Sequence, residues 1–308
     1  MIVPPSLQSG DVVAIVSPAT IVKEEYIDGA SEFLRSEGFT PRVMPHAKGA
    51  SSGSYAASDE DRLADLREAF QDSDVKAILC ARGGYGCNHL LEGVGEELVR
   101  EHPKWLIGFS DVSALHALSG RAGVVSLHAP MAKHLATLPC DQYCTRALMR
   151  ILTEGLPIEY IAPPHPFNRE GESEGMLIGG NLAVINGLAD TPYDPFRIAR
   201  EAGETHPILF IEDISEAIYA VERMLIRLHL GGHLKSLGGM VVGAFTEYRA
   251  DRNHADMESM ISALLDRYGY EFPTAFGFPA GHTDDNLPLP MGATARLSVT
   301  AEGTTLTF

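Results

Sequence analysis

The sequence predicts an α/β protein with a parallel-sheet N-terminal domain and a β-rich C-terminal domain that contains a few helices. Its length of 308 residues fits about two domains. Up to about residue 150, strand-length apolar runs alternate with helical patterns, which is typical of a parallel sheet. Beyond that point, short strand-like segments dominate. We therefore expect a first domain at 1–150, a proline-containing linker at 151–174 and a second domain at 175–308.

The first domain alternates predicted strands with predicted helices. Apolar residues at helical spacing predict a helix around Ile27 and Leu34, and Ser58 followed by acidic residues predicts the start of another. The predicted strands cover residues 12–18, 41–45, 75–84, 105–109 and 123–130. Because parallel sheets bind ligands at the carboxyl ends of their strands, the residues that follow these strands are the first candidates for a functional site.

The second domain is predicted from shorter segments. Its predicted strands cover residues 175–180, 207–213, 238–245, 274–281, 295–300 and 304–308. Two helical patterns, at 181–190 and 217–231, interrupt these strands. This mixture predicts a mostly β domain with a few helices.

The composition argues against several classes of partner. A net charge of −17 is opposite in sign to a nucleic-acid-binding surface. No apolar stretch is long enough to span a membrane, and the N-terminus lacks a signal-type pattern, so we expect an unprocessed cytoplasmic protein. Cys80, Cys87, Cys140 and Cys144 form no C-x-x-C pair, which predicts free thiols and no metal site.

Ser110 stands where a predicted strand turns abruptly into a predicted helix. The strand WLIGF (105–109) is followed by Ser110 and Asp111, and an apolar stripe at helical spacing begins at Val112. Such a corner exposes the hydroxyl beside the N–H groups of the first helical turn, which suits a nucleophile that needs oxyanion donors. The alternative is that Ser110 only caps the helix. The second glycine of a G-x-S-x-G elbow is absent.

A nucleophilic serine requires a base and a carboxylate that orients the base. His282 follows the apolar, glycine-containing segment FGFPAG and precedes a polar loop, so it is a candidate base; a loop histidine without a role is the alternative. Glu212 ends the apolar run ILFI, where a charge needs a partner or a function, unless it already faces solvent. Asp213 is the adjacent rival.

The segment ARGGYG (81–86) is a glycine turn at the end of a predicted strand. Two glycines allow close approach of the backbone to a ligand and can direct N–H groups at an anion. The spacing differs from G-x-G-x-x-G, and no P-loop lysine follows. A nucleotide-dependent enzyme is therefore disfavoured, and we predict no cofactor.

Five motifs together carry a family resemblance. ARGGYG, GFSD, GGNLAVINGLADTPY, LFIEDISEAIYAVERML and GFPAGH with NLPLPMGA resemble, in this order, the LD-carboxypeptidases of serine peptidase family S66. That family includes muramoyltetrapeptide carboxypeptidases and microcin C immunity peptidases. The resemblance implies a Rossmann-like N-terminal domain, a β-rich C-terminal domain and a homodimer. It also implies Ser110 as nucleophile, Glu212 as the triad carboxylate and His282 as base.

The resemblance implies a metal-independent serine carboxypeptidase that removes the terminal D-alanine of murein tetrapeptides. The expected oxyanion donors are the N–H groups of Asp111 and Gly84, with Gly83 as the alternative to Gly84. A substrate carboxylate needs a local donor, for which Arg82 and Gly83 are candidates and Arg223 a weaker one. The other interpretations are a microcin C-type immunity peptidase and a protein that binds murein peptides without turnover.

Overall fold

The computed structural model describes residues 1–49 and 51–308 and divides them into two compact units. Unit 1 contains Met1–Leu156 and Asp284–Gly292, and unit 2 contains Pro157–Thr283 and Ala293–Phe308. These boundaries differ from the expected ones in two places. The expected linker is divided between the units at Leu156, and the segment from Asp284 to Gly292 returns to unit 1.

Unit 1 alternates strands and helices as the sequence predicts. Its strands and helices are, in chain order, β1 (Val12–Val16), α1 (Glu24–Ser36), β2 (Thr40–Val43), α2 (Asp59–Gln71), β3 (Val75–Cys80), α3 (Leu91–Val94), α4 (Glu96–Glu101), β4 (Trp105–Gly108), α5 (Ser113–Arg121), β5 (Ser126–His128), α6 (Ala132–Thr137) and α7 (Tyr143–Glu154). The predicted helix start at Ser58 is confirmed, because the Ser58 side chain caps α2 by accepting from the N–H of Asp61.

Strands β1 to β5 form a parallel sheet, which confirms the fold predicted for the first domain. The order is β5-β4-β3-β1-β2, so the chain reverses direction across the sheet between β1 and β3. In doubly wound sheets, ligands bind at this reversal, outside the carboxyl ends of the strands. The glycine turn follows β3, and Ser110 follows β4, the next strand outward.

A sixth strand explains why the chain returns to unit 1. Strand β11 (Leu289–Met291) pairs antiparallel with β5 and extends the sheet by one strand. This pairing supplies hydrogen bonds to an edge of β5 that would otherwise be open. The local sequence gives no sign of it, because the partner strands are separated by more than 150 residues.

Unit 2 contains a seven-stranded mixed sheet. Its elements are β6 (Glu159–Ala162), β7 (Gly171–Asn181), α8 (Leu182–Leu188), α9 (Pro195–Glu201), β8 (Ile208–Ile214), α10 (Ile218–Leu230), β9 (Gly239–Thr246), α11 (Met257–Arg267), β10 (Thr274–Ala275), β12 (Thr294–Thr300) and β13 (Gly303–Thr307). Strands β7, β8, β9 and β10 are parallel, and β12, β13 and β6 extend the sheet in antiparallel fashion.

The β-rich character predicted for unit 2 is confirmed, with two differences. Helices α9 and α11 were not among the predicted elements. The predicted strand at 274–281 is reduced to Thr274–Ala275, and the rest is irregular chain leading to His282. A mainly apolar cluster contributed by β8, β9, α10 and α11 forms the core of this unit. Among the described residues, no helix has both the length and the apolar character needed to cross a membrane.

Candidate active site

Ser110 adopts a left-handed backbone conformation at the corner between β4 and α5. Its φ is +65°, and a short 3-10 turn, Ser110–Val112, leads into α5. A non-glycine residue pays roughly 1–2 kcal/mol in this region, so the surrounding structure must hold it there. The strained strand-to-helix turn is the geometry that exposes a nucleophilic serine. The side chain is neither fully buried nor fully exposed.

The glycine turn after β3 packs against this serine. A Cβ placed on Gly83 would lie 2.8 Å from the Ser110 Cβ and 3.0 Å from its Oγ. On Gly84, whose φ is +116°, a Cβ would lie 2.0 Å from the Thr20 Oγ1. The two glycines therefore fill a gap between Thr20 and Ser110 that has no room for a side chain. Gly83 is the one that contacts the serine.

The residues at this contact carry three backbone N–H groups of interest. Within the described part of the chain, no protein acceptor is recorded for the N–H of Gly83 or of Gly84. The Asp111 nitrogen lies 3.3 Å from the Cβ position of Gly83, and it belongs to the first helical turn, where N–H groups lack intrahelical partners. The buried Asp111 side chain accepts from the N–H of Cys87 at 2.8 Å and so ties the helix start to the loop after the glycines.

Other potential nucleophiles near Ser110 are unsuited to that role. Ser113 is 1% exposed inside the first turn of α5. Burial, with the charge of Asp111 as a second cause, raises the pKa of the Cys80 and Cys87 thiols well above the ordinary value. A thiol that stays protonated is a poor nucleophile. Ser110 is the residue whose exposure and surroundings fit attack on a carbonyl.

In unit 2, Glu212 and His282 form a close carboxylate–imidazole pair. The Glu212 Oε2 lies 2.6 Å from the His282 Nδ1, and the Glu212 side chain is fully buried. An ionised carboxylate only accepts, so Nδ1 carries the proton and Nε2 is the nitrogen that can take up another. Glu212 and Asp213 are adjacent on β8, so their side chains point to opposite faces of the sheet, and Glu212 is the one that meets His282.

Gly281 makes this pair possible because it leaves space for the carboxylate. Its φ is +112°, and an added Cβ would lie 2.8 Å from the Glu212 Cβ and 2.9 Å from its Oε2. Among the described residues, no hydrogen-bond partner is found for the buried Glu212 Oε1. The carboxylate therefore acts on His282 through Oε2.

Asp213, the rival carboxylate, performs a different task. Its oxygens accept from the Asn181 Nδ2 and from the N–H groups of Ala183 and Ile214, each at 2.9 Å. Burial raises the pKa of Asp213 to about 6, opposed by these hydrogen bonds. Asp213 thus holds the start of α8, whereas Glu212 faces the imidazole.

The two candidate arginines lie in different surroundings. Arg82 donates to the Ile21 carbonyl at 3.0 Å and lines a surface cavity of about 490 Å³ in unit 1 that also contains Lys23 and Lys48. Arg223 lies 5.6 Å from the centre of the Tyr219 ring, and it lines another cavity, in unit 2. Arg82 adjoins the glycine turn, while the described contacts of Arg223 give it no link to the Glu212–His282 pair.

One group of metal-type side chains occurs in the described residues. Ligand atoms of Asp190, Asp194 and His233 lie within 4.8 Å of one another. Asp194 caps α9 and also accepts from the N–H of Asp190, and Asp190 pairs with Arg227 at 3.1 Å. These carboxylates therefore have structural partners.

Two residues that the sequence analysis did not single out support the Ser110 turn. Thr20 follows β1, and its Oγ1 accepts from the N–H of Tyr85 at 3.0 Å. The rule that sites form at carboxyl ends of strands could have found it. His116 is buried in α5, and its Nε2 lies 2.8 Å from the Gly108 carbonyl oxygen. A polar side chain within the apolar stripe of that helix was the available signal.

Comparison with known proteins connects these features to a family. The LD-carboxypeptidase N-terminal domain matches residues 13–129, and the LD-carboxypeptidase C-terminal domain matches residues 174–297. The chain is 33% identical over 306 residues to the probable murein peptide carboxypeptidase of Bacillus subtilis, covering 98% of this chain and 92% of that protein.

Solved structures agree with the sequence match. The crystal structure of the muramoyltetrapeptide carboxypeptidase from Oxalobacter formigenes has a TM-score of 0.84 at 29% identity, covering 96% of this chain and 98% of that chain. The crystal structure of an MccF-like protein from Bacillus anthracis has a TM-score of 0.87 at 28% identity, covering 100% and 99%.

A strained serine at a strand-to-helix turn and a carboxylate–histidine pair are the parts of a serine hydrolase on an α/β fold. The chain belongs to the LD-carboxypeptidase family, serine peptidase family S66. Its relatives include carboxypeptidases that act on murein peptides.

Proposed function

We propose that this protein hydrolyses the L,D-peptide bond that releases the terminal D-alanine of murein tetrapeptides during cell-wall recycling. Ser110 is the nucleophile in this proposal, His282 the general base and Glu212 the carboxylate that orients it. The observation that carries the proposal is the strained Ser110 packed against the glycine turn. The similarity to murein peptide carboxypeptidases over almost the whole chain supports the substrate class.

The proposed reaction follows the chemistry of serine triads. The Ser110 Oγ attacks the scissile carbonyl while the His282 Nε2 accepts its proton, and the same nitrogen then protonates the leaving amine of D-alanine. Water hydrolyses the acyl-enzyme in a second round. The 2.6 Å contact supports the role of Glu212, because it fixes the proton on Nδ1 and stabilises the imidazolium that forms.

We propose the N–H groups of Asp111 and Gly84 as oxyanion donors. The Gly83 carbonyl accepts from the N–H of Thr20, at 3.4 Å. In a trans peptide the N–H points opposite to the C=O, so the N–H of Gly84 is directed away from Thr20. Each such donor contributes about 3–4 kcal/mol to transition-state stabilisation. Gly83 then supplies the close packing that brings this peptide to Ser110.

Recognition of the free C-terminus requires a cation or donors. We propose Arg82 for this role, with the N–H of Gly83 as a second donor, because Arg82 adjoins the glycine turn and lines a cavity with two lysines. Arg223 remains a weaker prediction. The proposal also includes a homodimer, which sedimentation analysis would test. A cytoplasmic location agrees with the four free cysteines.

A microcin C-type immunity peptidase is the second candidate function. The similarity to MccF-type proteins favours it: the MccF-like structure from Bacillus anthracis covers the whole chain at 28% identity, and the chain is 25% identical over 318 residues to MccF, the microcin C7 self-immunity protein of Escherichia coli. Both functions use the same proposed triad and differ in the acyl group that is cleaved. A murein-peptide binding protein without turnover is the non-enzymatic alternative, and covalent labelling of Ser110 separates it from both.

The experiment compares two murein tetrapeptides that differ only in the configuration of the terminal alanine. We expect release of D-alanine and no comparable release of L-alanine, with products identified by mass. Inverting the alanine moves its methyl group into the wall that the hydrogen faced, and a shift of the carbonyl by about 1 Å costs about 10²-fold in rate. Ser110→Ala should keep the fold and lose about 10⁴–10⁶-fold in turnover.

If neither peptide is cleaved, labelling with a fluorophosphonate probe distinguishes the remaining explanations. Labelling of Ser110 without cleavage of either peptide would favour the microcin-type substrate. Absence of both labelling and cleavage would favour the binding protein. Equal cleavage of the D and L peptides would contradict the L,D specificity. Amidation of the peptide terminus tests recognition of the substrate carboxylate, because an amidated peptide should have a much higher KM.

A further inference from the structure

A buried histidine behind Ser110 has a defined hydrogen-bonding role. His116 lies on α5, six residues after Ser110, and is 4% exposed. Its Nε2 lies 2.8 Å from the Gly108 carbonyl oxygen, and its Nδ1 lies 2.9 Å from the Ser126 Oγ. A carbonyl can only accept, so Nε2 carries the proton and Nδ1 accepts from the serine hydroxyl.

This arrangement ties together three elements around the nucleophile. Gly108 ends β4 two residues before Ser110, Ser126 begins β5, and His116 belongs to the helix that follows the turn. The Gly108 carbonyl accepts a second hydrogen bond, from the N–H of Ala129 at 3.0 Å. The chain is thus held on both sides of the Ser110 turn, before it at Gly108 and after it at His116.

The His116 imidazole is suited to holding its two hydrogen bonds at all times. Burial lowers the pKa of His116 to about 4, opposed by the bond to Gly108, so the ring remains neutral near neutral pH. Nε2 therefore remains the donor to Gly108, and Nδ1 remains the acceptor from Ser126. Gly108 is itself closely packed, because a Cβ there would lie 3.0 Å from the Val112 Cγ1 and 3.1 Å from the Cys80 Cβ.

We propose that His116 is a positioning residue for the nucleophile: by joining the Gly108 carbonyl to the Ser126 hydroxyl, it maintains the left-handed conformation of Ser110. The inference rests on the proposed function of Ser110 as nucleophile. A left-handed serine persists only where its surroundings enforce it, and the His116 bridge spans the turn that requires enforcement.

The test is a pair of amide substitutions at the same position. In His116→Gln the terminal NH₂ reaches the place of Nε2 and can still donate to Gly108, whereas the shorter His116→Asn side chain reaches only the place of Nδ1. We expect the Asn variant to lose about 10–10²-fold in kcat and in the rate of fluorophosphonate labelling at unchanged KM, as for a displacement of about 1 Å. The Gln variant should recover most of that loss.

Leu118→Ala is the matched control, because Leu118 is buried on the same helix and belongs to neither hydrogen bond. It should lower the melting temperature without slowing the labelling of Ser110. The inference is overturned if the Asn variant labels at the wild-type rate, if Gln is as slow as Asn, or if Leu118→Ala slows labelling equally.

A second variant applies if His116→Asn does not fold. Ser126→Ala retains the imidazole and removes the donor that orients it, so a smaller loss in kcat at unchanged KM supports the proposal and a wild-type rate contradicts it. The wild-type protein separates this inference from the proposed function. Failure of Ser110 to react with the probe in the wild type would refute the nucleophile itself.

Discussion

Glu212→Gln tests the carboxylate of the proposed triad with the smallest change in shape. Glu212 is fully buried, and its Oε2 lies 2.6 Å from the His282 Nδ1. Glutamine has almost the same volume, so packing around the side chain should persist. The substitution removes the negative charge and replaces one oxygen by an NH₂ group.

The expected loss follows from the two orientations of the new amide. If its oxygen faces Nδ1, the hydrogen bond survives without the charge that stabilises the imidazolium. If its NH₂ faces Nδ1, the ring must carry its proton on Nε2 and cannot accept the proton of Ser110. The corresponding change in another serine triad lowers kcat by about 10⁴, or ~5 kcal/mol in the barrier.

The stability of Glu212→Gln should not fall together with its activity. A buried carboxylate carries a desolvation cost, so its neutralisation should leave the free energy of unfolding nearly unchanged or higher. Asp213→Asn is the matched control, because Asp213 accepts three hydrogen bonds, two from the start of α8 and one from the N–H of Ile214. An NH₂ group facing those donors should cost about 1–3 kcal/mol of stability and much less activity.

The assay measures kcat and KM on a murein tetrapeptide together with thermal unfolding of both variants. Glu212→Gln should lose turnover and retain its melting temperature, and Asp213→Asn should do the reverse. Substantial turnover by Glu212→Gln would refute the role assigned to the 2.6 Å contact. A catalytic loss confined to Asp213→Asn would identify the neighbouring carboxylate as the functional one.

Three further predictions use other parts of the structure. Gly83→Ala should abolish labelling of Ser110 by a fluorophosphonate, because its Cβ would lie 2.8 Å from the serine Cβ; unchanged labelling would contradict that contact. Gly281→Ala should lower kcat by displacing Glu212, whose Oε2 would lie 2.9 Å from the new Cβ, and steady-state kinetics would show whether it does. Burial lowers the pKa of His116 from 6.5 to about 4, so on acidification the unfolded chain binds the proton first and stability is lost between those pH values. Over this pH range the free energy of unfolding of His116→Gln should therefore fall by ~3 kcal/mol less than that of the wild type. If the unfolding free energies of the wild type and the variant fell in parallel with pH, this prediction would be wrong.

Local patterns were sufficient to predict most of the elements that carry the candidate site. The strand before Ser110, the helix after it and the cap at Ser58 follow from apolar spacing and from side chains adjacent in sequence. The parallel arrangement of β1 to β5 follows from their alternation with helices. In unit 2, helix α11 and the short helix α9 were not predicted.

The order of the strands was less accessible than their positions. Nothing near Leu289 indicates that β11 pairs with β5, so the return of Asp284–Gly292 to unit 1 was not among the expectations. Strand pairing depends on which edge the folded chain leaves open, and that edge is formed by residues far away in sequence.

The sequence by itself determined the class of fold, the glycine turn after β3, and Ser110, Glu212 and His282 as candidates. Only the tertiary structure shows which carboxylate faces His282: adjacent side chains of β8 point to opposite faces of the sheet, and the folded chain places His282 against Glu212 and the start of α8 against Asp213. It alone revealed the strain at Ser110 and its contact with the glycine turn. Spacing and capping are local properties, whereas side-chain direction and close approach arise from the packing of distant segments.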